Sequence, residues 1–234
     1  MGLSHSPKIV TNGLVLALDA ANKRSYPGTG TTWTDLSGNN NNGTLTNGPT
    51  FSTDNMGYIT FDGTNDYLSL NSALNFSTST GFTICMFLQK VNNQVSTSWN
   101  YFYSNNSPTI EMGGYGQTGN NFNFKDNNVA NTEVGSQDIV SSWSYISFGT
   151  NASTRTSYIY TLNPTVGSVL TTSVGSVSNL TLGFERFFTT GPSGAPAGTT
   201  YFRSKCAIIQ AYNRVLSANE VSQNYNATKS RFGL

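Results

Sequence analysis

The run Tyr58-Ile59-Thr60-Phe61-Asp62-Gly63-Thr64-Asn65-Asp66-Tyr67-Leu68-Ser69-Leu70 narrows the possible folds more than any other stretch of the chain. Aromatic and β-branched residues stand on both sides of a centre rich in Asp, Gly and Asn, which predicts two short strands joined by a tight turn, a β-hairpin. Gly63 can take a positive φ without strain, and Asp62, Asn65 and Asp66 can each bond nearby backbone. Phe61 and Tyr67 are then expected on either side of the turn, facing one core.

The same rhythm continues along the chain. Leu14, Leu16 and Leu18 alternate with Val15 and Ala17, and residues 82–89 alternate large apolar side chains, so both segments read as buried strands. Residues 143–149, 156–160, 166–170, 179–184 and 201–212 add strands at short spacing. Roughly a dozen strands at this rhythm, separated by Gly, Asn and Pro turns, indicate an all-β sandwich. Residues 19–48 form a long excursion, with Trp33 and Leu36 as its expected anchors in the core. One helix is signalled: Ser217 and Glu220 make a capping box, Leu216 and Val221 are placed as a hydrophobic staple, and Val221 and Tyr225 share a face. Residues 1–12 read as an arm or a disordered terminus, and 13–228 as the folded domain. The basic tail 229–234, with Phe232, either docks on a neighbouring subunit or hangs free.

Composition excludes several function classes. Only 10% of the 234 residues are charged and the net charge is +1. That argues against binding nucleic acid, which needs a basic face that releases counterions. Aromatics at 12% argue for a folded chain rather than a disordered one. No apolar run approaches the ~20 residues of a membrane-spanning helix, and the first residues lack the pattern of a secretory leader. Cys85 and Cys206 are too few for a disulfide framework or a zinc site, and are expected to be free buried thiols, with a bridge between neighbouring strands as the alternative.

An ordered set of segments resembles a known family. It comprises residues 13–20, Ser25-Tyr-Pro-Gly28, Thr31-Thr-Trp-Thr-Asp-Leu-Ser-Gly38, Asn42-Gly-Thr44, the Phe61-Asp62-Gly63-Thr64-Asn65-Asp66-Tyr67 run and, near the far end, residues 211–221. Together they look like the laminin-G-like, concanavalin A-like jelly roll, and most like the version in structural proteins of tailed phages, notably those of marine cyanobacteria. The resemblance implies an all-β jelly-roll sandwich with one short C-terminal helix. It also implies a virion location and a non-enzymatic role as capsid decoration, neck or fibre component. Such a protein would pack against other virion proteins and form a homo-oligomer. The alternative it leaves open is an adhesin that recognises host surface glycans.

Two sets of candidate site residues follow. Asp35, in a stretch rich in Ser and Asn, together with Asp62 and Asp66, offers the hard oxygen ligands that calcium prefers, and relatives of this fold do bind calcium. The competing account is that these residues build Asx turns without a metal. Trp99, Tyr101 and Tyr103 lie at i, i+2 and i+4, so on one face of a strand. They form either an exposed platform that stacks on a sugar ring or ordinary core. Catalysis finds no support. Glu111, Glu133, Glu185 and Glu220 lack the clustered carboxylates that a retaining glucanase needs, and Glu133 with Asp138 is too widely spaced. His5, the only histidine, stands far from any Ser–Asp pairing.

Overall fold

A computed structural model describes residues 7–77, 80–91, 98–104, 110–115, 122–126, 129–134, 142–151, 154–161, 168–173, 181–189 and 201–234. In chain order the strands are β1 (Leu14–Asp19), β2 (Thr32–Trp33), β3 (Gly43–Thr46), β4 (Thr50–Ser52), β5 (Tyr58–Phe61), β6 (Tyr67–Ser77), β7 (Phe82–Lys90) and β8 (Ser98–Ser104). They continue as β9 (Ile110–Tyr115), β10 (Phe122–Asp126), β11 (Val129–Val134), β12 (Ser144–Thr150), β13 (Thr154–Thr161), β14 (Ser168–Ser173), β15 (Thr181–Phe187) and β16 (Ser204–Tyr212). A single α-helix, α1 (Ala218–Thr228), follows. For β8–β11, β13 and β14 only the backbone is described.

These strands form two eight-stranded antiparallel sheets. The first has the order β14-β13-β12-β7-β16-β5-β4, with β1 also paired to β16; the second runs β11-β10-β9-β8-β15-β6-β3-β2. This is the concanavalin A-like, laminin-G-like sandwich with one short C-terminal helix. Its central core lies between the sheets. Phe82 and Phe148 of the first sheet meet Phe76 and Phe184 of the second, with Phe76 stacked on Phe82 at 4.8 Å and Phe184 5.3 Å from Phe82. Burying each such ring stabilises the fold by roughly 1.5–3 kcal/mol, which is what holds two sheets face to face.

The central run is a corner and not a hairpin. β5 pairs with β16 and β4, while β6 pairs with β3 and β15, so the two strands belong to opposite sheets. The turn chemistry is as expected. Asp62 Oδ1 accepts from the amides of Thr64 (2.7 Å) and Asn65 (3.3 Å), and the Asp62 amide donates to Asp66 Oδ2 at 3.0 Å. Gly63 has φ +76°, and a Cβ there would lie 2.7 Å from Cβ of Arg203, so glycine is required twice over. Phe61 is fully buried and stacks on Phe188 at 4.1 Å. Tyr67 is half-buried and lies on the far side of its sheet from the core residues Leu68 and Leu70. The two aromatics do not share one core, because the corner carries the chain across the sandwich.

Two further expectations change. A bulge between Leu14 and Leu16 breaks the alternation of β1, so Leu16 and Leu18 enter the central core while Leu14 packs on the opposite face. In the long excursion Trp33 is fully buried, but Leu36 is 36% exposed. Tyr26 and Leu45 anchor the segment instead.

The outer face of the first sheet carries a second core. Tyr58, Cys85, Phe87, Trp143, Tyr145, Ile208 and Tyr212 project there, and Val10, Leu216, Val221 and Phe232 cover them. The helix begins as its sequence predicts. Ser217 Oγ accepts from the Glu220 amide, and the Glu220 carboxylate accepts from the Ser217 amide at 2.9 Å. Residues 229–232 continue as a 3-10 turn that seats Phe232 on Phe87, with ring centroids 3.9 Å apart. The tail therefore docks on its own chain. Within the described part of the arm, the amide of Val10 donates to Asn224 Oδ1 (2.8 Å), Tyr212 Oη donates to the Val10 carbonyl (3.1 Å), and Asn224 Nδ2 donates to Tyr212 Oη (3.0 Å). Asn224 is fully buried, so this polar triangle fixes where arm, helix and sheet meet.

Candidate functional site

Asp35 sits at a free strand edge. Among the described residues β1 pairs with β16 alone, so its other edge has no strand partner. The loop of residues 35–42 covers that edge with side chains. Asp35 Oδ1 accepts from the amides of Ala17 (2.8 Å) and Ser37 (2.9 Å), while Oδ2 accepts from Ser37 Oγ (2.7 Å) and the Asn41 amide (3.0 Å). Asn41 Nδ2 and Ser37 Oγ donate to the Val15 carbonyl at 2.8 and 3.1 Å. From the opposite sheet, Asn71 Nδ2 donates to the Asn40 carbonyl and the Asn71 amide to the Asn42 carbonyl, both at 2.9 Å. The Asn-rich loop is thus a lateral strap between the two sheets.

This geometry does not suit calcium. Four donors engage both oxygens of the buried Asp35 carboxylate, filling the lone-pair positions that a cation would need. Asp62 and Asp66 are committed to the sheet corner. Burial works to raise Asp62, but the amide hydrogen bonds of Thr64, Asn65 and Asp66 outweigh it and hold the carboxyl below its ordinary range. Burial, followed by the nearby Asp62 charge, raises Asp66. Among the described residues no three His, Cys, Asp or Glu side chains gather into a metal-sized group, so Asp35, Asp62 and Asp66 are not one site.

The two thiols lie on opposite faces of the first sheet. Cys206 is in the central core and Cys85 in the outer one, on the neighbouring strands β16 and β7. Both are free and fully buried. Burial pushes the Cys85 thiol up to about 11, partly offset by its hydrogen bond to Ser147 Oγ at 3.2 Å. It pushes Cys206 higher still.

The second sheet differs on its outer side. Inward positions Leu45, Leu68 and Phe187 are register partners, and the adjacent outward row crosses the sheet through Thr32, Thr44, Ser69 and Arg186 to position 103. Thr32 and Thr44 are exposed, while Ser69 and Arg186 are half-buried. Arg186 holds its guanidinium 5.3 Å from the centre of the Tyr67 ring, a distance at which the ring's quadrupole attracts the cation. Sequence reasoning missed this pair. The sequence pattern places Tyr67 toward the core, and only the pairing of β6 with β15 brings Arg186 beside it.

Trp99, Tyr101 and Tyr103 all fall on β8, which lies between β9 and β15. Asn100 pairs with Gly113 and Phe102 with Met112, so a bulge falls at Tyr101 and interrupts the two-residue alternation. The expectation of one shared face assumed an unbroken strand. Their side chains lie outside the described residues.

A cleft of about 190 Å³ opens beside the strap, where β1 approaches β6. Its walls include Val15, Leu74 and Phe76, and its rim carries Asn39, Asn41, Asn75 and Asn213.

No protein-family model matches the sequence, and no curated protein matches it by sequence. Solved structures do match the fold. The Trypanosoma rangeli sialidase in complex with sialic acid aligns with a TM-score of 0.63 at 13% identity, over 97% of this chain and 36% of the sialidase. Domain 4 of AbnA, the extracellular GH43 arabinanase of Geobacillus stearothermophilus, in complex with arabinotriose, aligns at 0.58 and 13% identity, over 92% of this chain and 98% of that domain. The binding domain of botulinum neurotoxin serotype D aligns at 0.60 and 11% identity, over 93% of this chain and 52% of its own. At such identities the likeness concerns the fold alone. This chain spans about a third of the sialidase's length.

Proposed function

We propose that this protein is a non-enzymatic glycan-binding module that works through the outer face of its second sheet. The observation that carries this reading is the cross-strand row Thr32, Thr44, Ser69 and Arg186, with the Tyr67 ring beside the Arg186 guanidinium. Hydroxyls and a guanidinium can exchange hydrogen bonds with sugar hydroxyls, and a tyrosine ring can cover the apolar side of a pyranose. The arabinanase domain of similar fold, solved with arabinotriose, and the sialidase, solved with sialic acid, lend the reading its ligand class. The near absence of net charge gives no electrostatic steering, so affinity would be modest and would depend on contacts.

A panel of immobilised glycans, followed by calorimetry on the best binders, tests it. Arg186→Ala and Tyr67→Ala should each weaken binding about tenfold or more while leaving the fold intact. Because Asp35 is saturated and the acids are dispersed, binding should persist in a chelator of calcium. A panel without a single binder would sink the proposal.

The sparse surface charge favours a second reading, that this face packs against other subunits of a virion, as the phage resemblance implies. With only 10% of residues charged, little repulsion opposes close packing. Quantitative mass spectrometry of purified particles separates the two. A fixed copy number scaled to the major capsid protein, without glycan affinity, would replace the first reading by the second.

A further inference from the structure

We propose that the asparagine-rimmed cleft between β1, the 35–42 strap and β6 is a second binding site, built for a single neutral sugar ring. The proposal takes its ligand class from the glycan reading above and its location from the cleft itself.

Three of the four rim amides are oriented by the protein. Asn39 Nδ2 donates to the Leu14 carbonyl (3.2 Å) and to Ser37 Oγ (2.9 Å), Asn41 Nδ2 to the Val15 carbonyl (2.8 Å), and Asn75 Nδ2 to the Ala73 carbonyl (3.3 Å). With the nitrogens committed to the protein, the oxygens are left for other donors. Ser72 Oγ takes the Asn41 oxygen at 3.3 Å. The oxygens of Asn39 and Asn75, and the whole side-chain amide of Asn213, have no hydrogen-bond partner among the described residues. The cleft therefore presents the oriented oxygens of Asn39 and Asn75 beside the half-buried Val15, with Leu74 and Phe76, each 3% exposed, also in its wall.

That arrangement selects its ligand by elimination. Anions are disfavoured, because the oriented amides present oxygens and no cation lines the cleft. A calcium ion would find neutral oxygens only, whereas its sites ordinarily include carboxylates. A molecule that donates several hydrogen bonds and carries apolar C–H surface satisfies both rim and wall, which describes a neutral sugar. The volume of 190 Å³ falls below the ~300–1,000 Å³ typical of drug-sized ligands, so one ring fits and an oligosaccharide does not. The oriented amides also lower the entropic cost of binding, because the protein has already fixed them.

The test is NMR titration of the intact chain with methyl glycosides of neutral hexoses and pentoses, with glycerol, glucuronate and calcium chloride as separate arms. The expected result is shifts confined to the amides of Val15, Asn39, Asn75 and Asn213 with a neutral glycoside. Glucuronate and calcium should give none. Asn75→Ala and Asn213→Ala should each reduce that affinity about tenfold without altering thermal stability, since neither side chain bridges separate elements. Ala73→Phe, which narrows the cleft, should abolish it. Loss of glycan binding in Tyr67→Ala and Arg186→Ala, with the cleft variants unchanged, would leave the broader reading standing and overturn the cleft. The converse pattern would establish the cleft and overturn the sheet-face site. Shifts with glycerol equal to those with the glycosides would overturn the sugar-ring assignment, and silence in every arm would overturn the cleft altogether.

Discussion

The two sheets are built from the same residue types and use their outer faces in opposite ways. In the first sheet, β7 is buried at every position except Gln89, β12 throughout, and β16 except at Lys205, because the helix, the tail and the arm cover the face turned away from the core. In the second sheet, β3 and the start of β6 alternate between buried and solvent-facing positions. Among the described residues nothing packs over Thr32 and Thr44. A sheet with one solvated face shows alternation and a sheet covered twice shows a continuous apolar run. The proposed site rests on that contrast: the helix, the tail and the described part of the arm cover one face, while β3 and the start of β6 keep the alternation of a solvated one.

Four measurements would break or sharpen that contrast. The largest effect is expected at Phe87, which stacks on Phe232 and touches Trp143 and Tyr145. Phe87→Ala should cost about 3–5 kcal/mol in urea unfolding. Thr44→Ala on the open face should stay within about 0.5 kcal/mol. Comparable losses at the two positions would mean that the outer faces are not different after all.

The strap joining the sheets comes next. Asp35→Asn replaces an acceptor that serves four donors with an amide that can serve only part of them, and should cost about 2–4 kcal/mol. A stability unchanged in Asp35→Asn and raised by calcium in the parent would instead restore the metal assignment.

Closure of the sealed face by the helix is the third test. Ser217→Ala removes the cap and should cost about 1 kcal/mol. Val221→Ala should cost more, because Val221 is fully buried against the sheet.

The smallest effect is a pH dependence at the same helix start. Glu220 is held down to about 2, chiefly by its hydrogen bonds to Arg214, with Nη1 3.0 Å from Oε2, and also by those from Ser217; partial burial opposes them. A depressed carboxyl contributes stability above its ordinary value of 4.5, and that contribution fades as pH falls toward 2. The melting-temperature gap between the parent and Glu220→Gln should be small at pH 7, since the pair is solvent-screened, and should vanish near pH 2. A gap that widened on acidification would contradict the assignment.

What was legible from sequence divides along the same line. The helix start could be read because a capping box is local: four residues satisfy one another wherever the helix lies. The turn at residues 62–66 could be read for the same reason. That its two strands enter opposite sheets could not, since Asx bonds and a left-handed glycine serve a corner as well as a hairpin. The bulges in β1 and β8 were equally hidden. Each adds one residue against a partner strand, and the alternation count carries no trace of which partner that is. Asp35 among asparagines looked like a metal loop because edge cover and cation ligation use the same oxygens. Only the donors supplied by Ala17 and Asn41 distinguish them.

By itself, then, the sequence determined the class of fold, the positions of most strands, the capped helix and the absence of a dominant charge. These follow from periodicity, local hydrogen bonding and composition, which act over a few residues or over the whole chain at once. The tertiary structure decided which strands pair, which face the chain's ends seal, and which side chains meet across the open face and around the cleft. Those outcomes depend on contacts between segments as distant as Val10 and Asn224, or Tyr67 and Arg186. Their energies exist only once the sheets have closed on each other.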